Sequence, residues 1–102
     1  MENLQDQLRR LGSFLAYADH DARNRAKVAG TVRQHAWSLM EARPRHKHSL
    51  ELAIVDMDLL TAITVYETDD SAHSVYELRN RLREFHGAVA VTHHESELAA
   101  AA

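Results

Sequence analysis

The chain of 102 residues contains no cysteine, which excludes disulfides, thiolate nucleophiles and thiolate metal sites together. Proline occurs once, at Pro44, and glycine only at Gly12, Gly30 and Gly87. So little punctuation argues for a few long helices rather than many short strands and turns. Bulky apolar side chains are also scarce, because sixteen of the apolar residues are alanine. A chain of this length holds one domain, residues 1–102, with a marginal core that a second copy or a partner would complete. The longest apolar run, Leu50 to Tyr66, carries Glu51, Asp56 and Asp58, which is too short and too charged for a bilayer span. The opening Met1-Glu2-Asn3-Leu4-Gln5-Asp6 has neither a basic leader nor an apolar stretch, so a cytoplasmic location without membrane contact is expected.

What is present is charge in two unequal halves. Residues 1–48 hold nine Lys/Arg against five Asp/Glu, and residues 49–102 hold three against ten. Halves of opposite sign can attract each other within a monomer or across a dimer.

Apolar spacing then divides the chain into four segments. In residues 3–18, Leu4, Leu8, Leu11, Leu15 and Ala18 recur at intervals of three and four, one stripe on a helix. Residues 21–43 follow the start signal Asp19-His20-Asp21 and carry Ala22, Ala26, Ala29, Val32, Ala36, Leu39 and Met40 on one side. Pro44 ends that segment by pushing Arg43 out of helical geometry. The two segments together read as a helical hairpin.

Residues 49–67 are ambiguous. Leu50, Ala53, Ile54, Met57, Leu60 and Thr61 make one stripe, while Leu52, Val55, Leu59, Ile63 and Val65 lie on the other side. A central helix buried all round reads this way, as does a helix running into a strand near residues 62–66. In the last segment Ser74-Val75-Tyr76-Glu77 matches a capping box, Val75, Leu78, Leu82 and Phe85 follow at helical spacing, and Gly87 stands where a left-handed cap would end the helix. Ala88-Val89-Ala90-Val91-Thr92 is strand-like, and residues 96–102 read as a frayed tail. The expected fold is all-α, a bundle of about four helices. The alternative is α+β, with the hairpin followed by a β-α-β unit.

Three features bear on chemistry. Arg43-Pro44-Arg45-His46-Lys47-His48 places three fixed cations and two imidazoles in an interhelical loop, able to contact phosphates or an acidic protein surface. Eight histidines, His20, His35, His46, His48, His73, His86, His93 and His94, make the chain sensitive to mild acid. His93, His94 and Glu95 could join a partner elsewhere to hold a metal, but no two histidines share the i, i+4 spacing of a helical metal site and no His-Glu-x-x-His motif occurs, so no metal and no cofactor is expected.

Finally, Arg79-Asn80 followed by His86 has an arginine–polar–spacer–histidine form. It resembles that of the HEPN superfamily of nucleases, which are small, helical and usually dimeric. The resemblance covers three residues and a fold class. It implies metal-independent RNA cleavage by Arg79, Asn80 and His86.

Other catalytic patterns fail. The serines lack a nucleophile elbow, no glycine-rich phosphate loop exists, and Asp56 and Asp58 diverge on a helix. A helix-turn-helix around residues 26–32 fails because Arg25 and Thr31 occupy positions that should be apolar. Tyr17 falls opposite the leucine stripe of its segment and Trp37 at the edge of its own, as aromatic anchors of a protein interface would. With no complete active site, the functional expectation is a non-enzymatic interaction module, a regulator, adaptor or inhibitor. It would act as a homo-oligomer and bind another protein through Tyr17, Trp37, Arg43, Arg45, His46, Lys47 and His48. Nucleic-acid binding through the loop 43–48 is a further alternative, disfavoured by the net acidic charge.

Overall fold

Two short polar side chains start the middle helices. Asp21 keeps an extended backbone and its carboxylate accepts the Asn24 amide at 2.8 Å, ahead of a helix at Ala22–Ala42. Ser49 accepts the Leu52 amide at 3.2 Å ahead of Leu50–Thr68. Such caps satisfy amides that have no partner inside the helix. The chain thus forms four helices: α1 (Leu4–Tyr17), α2 (Ala22–Ala42), α3 (Leu50–Thr68) and α4 (Ala72–Ala101). The computed structural model describes residues 4–43 and 49–101, and their side chains except those of residues 4, 93 and 95–101.

The all-helical expectation holds, and no strand occurs among the described residues. The strand-like stretches 62–66 and 88–92 lie inside α3 and α4. Burial overrides β-propensity there: Leu59, Ala62, Ile63 and Tyr66 enter the core together at helical spacing. The threonines adapt by bonding backward, Thr64 to the Leu60 carbonyl at 3.1 Å and Thr92 to that of Ala88 at 3.0 Å. At the end of α2, Arg43 is extended at φ −67°, ψ 130°, as a residue before proline must be.

Two local expectations for α4 are corrected. The helix starts at Ala72, and its cap is Ser71, whose hydroxyl accepts the Ser74 amide at 3.2 Å. Ser74 is therefore inside the helix, and Glu77 bonds Arg81 rather than closing a capping box. Nor does Gly87 end the helix, which runs on to Ala101 with no glycine at positive φ among the described residues. Val89, packed against the core, holds the chain helical beyond it.

α3 packs most closely on α4 and then on α2, while α1 leans mainly on α4. The α2–α3 pair is antiparallel, since Arg25 meets Tyr66 at one end and Arg43 meets Asp56 at the other. The same holds for α3–α4, where Arg81 reaches Asp58 at 3.5 Å and Ser74 reaches the Asp69 carbonyl. The core consists mainly of Leu11 and Leu15 of α1, Val28, Val32 and Met40 of α2, the four α3 residues above, and Leu78, Leu82 and Phe85 of α4. Each large side chain so buried contributes about 1.5–3 kcal/mol.

The stripe of α2 is rotated at its start: Ala22 and Ala26 are exposed, and Arg25 is buried with Val28 in their place. In α3, Leu59 and Ile63 of the second stripe face inward, while Leu50, Ala53, Ile54, Met57 and Thr61 of the first stripe and Val65 of the second are exposed. The expectation of a helix buried all round fails because two neighbouring helices cover only one side of it.

Candidate functional site

The turns at one end of the bundle are organised by Arg25. Its side chain is 3% exposed, and its guanidinium lies 4.7 Å over the Tyr66 ring. Nε donates to the His20 carbonyl at 2.6 Å. Nη1 donates to the Tyr66 carbonyl at 3.0 Å, the Asp69 carbonyl at 2.5 Å and the Ser74 hydroxyl at 2.9 Å, while Nη2 reaches the Ser71 carbonyl at 3.3 Å. A buried cation is tolerated when its donors are filled, and here two of its acceptors belong to the C-terminal end of α3, where the helix dipole favours positive charge. Beside it, His20 Nδ1 and the Tyr66 hydroxyl are 2.6 Å apart. Burial, with Arg25 adding to it, lowers the His20 pKa, and burial raises that of Tyr66. Arg25 thereby ties the α1–α2 turn to the α3–α4 turn.

A second cluster lies beneath α1. His35 of α2 and His86 of α4 meet edge to face, with ring centroids 5.6 Å apart at 80°. Both Nε2 atoms are buried without a hydrogen-bond partner. Desolvation lowers the His35 pKa, and desolvation followed by repulsion from His35 brings that of His86 to about 4. Both rings are therefore neutral near pH 7. A cleft opens on each side of α1. One, of about 360 Å³, is lined by Gln7, Arg10, Leu11, Phe14, Thr31 and His35. The other, of about 200 Å³, is lined by Gly12, Leu15, Arg79, Leu82, Arg83 and His86.

The three residues of the nuclease resemblance are thus only partly united. Arg79 and His86 border one cleft, whereas Asn80 lies one-quarter turn away and does not line it. His86 turns a nitrogen inward, and a ring with a pKa near 4 is a weak general base at neutral pH.

Of the expected interface residues, Tyr17 is 90% and Trp37 47% exposed. Trp37 is one helical turn from Arg33, whose guanidinium bonds Glu67 of α3 at 2.7 Å, so the indole stands on the α3 side of α2. Arg43, read as part of a free cationic loop, is instead buried and grips Asp56 through two bonds of 2.8 and 3.0 Å. Arg45, His46, Lys47 and His48 lie outside the described residues. No group of three metal-ligating side chains occurs among the described residues, and the side chains of His93 and Glu95 are not among them.

The feature that sequence reasoning missed is the outer face of α3. Leu50 is 78%, Met57 61%, Ile54 53% and Val65 43% exposed, and with Thr61 they form one continuous helical stripe. The periodicity was visible, but which of two apolar stripes would face outward depends on where α2 and α4 pack. The acids around this face are largely neutralised from the flanking helices: Asp56 by Arg43, Glu67 by Arg33 and Asp58 by Arg81. Two of these pairs join the basic and acidic halves of the chain within one molecule. No helix of the described residues is long and apolar enough to cross a membrane. The chain matches no protein-family model, no curated protein and no solved structure.

Proposed function

We propose that the chain is a non-enzymatic protein-interaction module whose working surface is the outer face of α3, and that this face pairs with a second copy of itself. The carrying observation is the exposed stripe Leu50–Ile54–Met57–Val65 on a helix whose other side already fills the core. An apolar surface of that continuity is costly to leave in water. The four side chains leave the equivalent of a little over two whole residues uncovered.

Covering the stripe from both copies favours a reversible, concentration-dependent dimer. Charge supports a second copy over a lipid surface. α3 carries Glu51, Asp56, Asp58 and Glu67 and no Lys or Arg, so its face offers no cation to an anionic bilayer. Three of those acids carry their own counter-ions, so two copies can approach without a large like-charge penalty. The inward nitrogen and low basicity of His86 leave the ribonuclease reading unsupported.

Sedimentation velocity over a concentration series tests the proposal. The expected result is a monomer–dimer equilibrium that Ile54→Glu/Met57→Glu shifts to monomer with helicity unchanged, since both positions are exposed. A wild-type chain that stays monomeric at several hundred micromolar, or a double variant that still dimerises, refutes it.

A further inference from the structure

We propose that the cleft between α1 and α4 is a binding site for a phosphate dianion, free or as a small monoester, gripped by Arg79 and Arg83. The two arginines stand one helical turn apart on α4, so their stems are neighbours and both guanidiniums can converge on one group. Both are exposed on the wall of the same cleft of about 200 Å³.

Neither forms an ion pair with any described residue, in contrast to Arg33, Arg43 and Arg81. The acids of α4 that could have neutralised them, Glu77 and Glu84, are held by Arg81 on the other side of the helix at 2.8 and 3.1 Å. No carboxylate of the described residues lines the cleft. Two guanidinium forks bordering one open cleft match the oxygens of a phosphate better than those of any neutral ligand.

The remaining walls define the ligand further. Gly12 brings no side chain into the cleft, and a Cβ there would meet nothing within 4 Å. The opposing α1 backbone therefore leaves room above the arginines. Leu15 and Leu82 close the back, offering an apolar rest for a substituent. The volume falls below the roughly 300–1,000 Å³ of drug-sized pockets, which restricts that substituent to a small one. His86 borders the same space as a neutral imidazole, adding a polar contact without adding charge. This cleft lies on the α1 side of the bundle, away from the α3 face, and does not depend on dimerisation.

Isothermal titration at low ionic strength tests the site, with inorganic phosphate and phenyl phosphate as separate probes. Saturable binding is expected for at least one probe in the millimolar range or tighter. Tighter binding of phenyl phosphate identifies the monoester as the ligand form, and equal affinity identifies the free dianion. Arg79→Gln/Arg83→Gln is expected to weaken binding by a factor of about ten or more. Arg9→Gln/Arg23→Gln, which removes the same charge elsewhere on the surface, is expected to leave it within about twofold. Both pairs lie on exposed helix faces, so folding is preserved. Absence of saturable binding by either probe overturns the proposal. So does binding that survives Arg79→Gln/Arg83→Gln, or that falls equally in both double variants.

Discussion

Replacing Arg25 by Met removes the guanidinium that joins two turns and keeps the aliphatic stem. Five hydrogen bonds are lost, but their acceptors fare differently. The Asp69 and Ser71 carbonyls are left sharing the single Ser74 hydroxyl proton, at 3.0 and 2.7 Å. The His20 and Tyr66 carbonyls lose the contacts that Arg25 supplied. Stranding two acceptors in a largely desolvated place costs about 1–3 kcal/mol each, and loss of the stacking over Tyr66 adds about 0.5–1 kcal/mol.

The expected destabilisation is therefore about 2.5–7 kcal/mol, against a total of about 5–15 kcal/mol for a domain of this kind. In a chain of this length that lowers Tm by at least about 10 °C. Arg25→Lys keeps the charge but not the fork and should fall between the two. Exposed Arg23 serves as control, with Arg23→Met expected to stay within about 0.5 kcal/mol. Urea unfolding followed by far-ultraviolet circular dichroism measures all three. An Arg25→Met variant within about 1 kcal/mol of wild type would show that the turns hold without the arginine.

The His35–His86 pair predicts a pH dependence of stability. The folded pKa of His86 is about 4, below its unfolded value of 6.5, so the unfolded chain binds more protons between these limits. Stability is then complete above pH 6.5 and is lost as pH falls toward 4, by at most about 3 kcal/mol before solvent screening is allowed for; His86→Phe should flatten that slope in urea titrations at stepped pH. Asp56→Asn removes the charge that Arg43 faces and should cost about 2–3 kcal/mol, since a cation left buried without its partner is penalised more than the pair gains. Thermal unfolding reads this, and a loss no greater than that of an exposed substitution would refute it.

The helices were legible because their signals are local. Asp21 caps where the start signal Asp19-His20-Asp21 placed it, Arg43 turns extended before Pro44, and the stripes Leu11–Leu15 and Leu78–Leu82–Phe85 are the ones buried. The errors share one cause, competition settled by tertiary partners. Ser74 and Ser71 are both good caps, and Arg25 took the Ser74 hydroxyl as an acceptor, leaving the capping role to Ser71. Gly87 permits a helix end, but Val89 beyond it still had a core to reach. Arg25 on the inner side of α2 was itself a readable sign, standing one turn before Ala29 where an apolar residue was due. The meeting of His35 with His86, fifty-one positions apart, left no local trace.

The arginines sort the surface into two kinds, and this links the two proposals. Those directed at α3 are spent on its acids, Arg33 on Glu67, Arg43 on Asp56 and Arg81 on Asp58, and Arg81 also holds Glu77 and Glu84 of its own helix. Neutralising that side leaves an apolar stripe with little field around it, which discriminates against charged partners and permits a like surface to approach. On the α1 side the same residue type is left without described counter-ions at Arg79 and Arg83, next to a cleft that no described carboxylate lines. A chain with net charge −3 would be expected to quench every cation it could reach. That it engages Arg81 three times over while Arg79 and Arg83, on either side of it in sequence, engage no described acid follows from helix geometry. Residues two apart point to different faces, so the acids at Glu77 and Glu84 serve only one of them. The positive cleft is consequently a product of where α4 places its charges, and it persists whether or not α3 is covered.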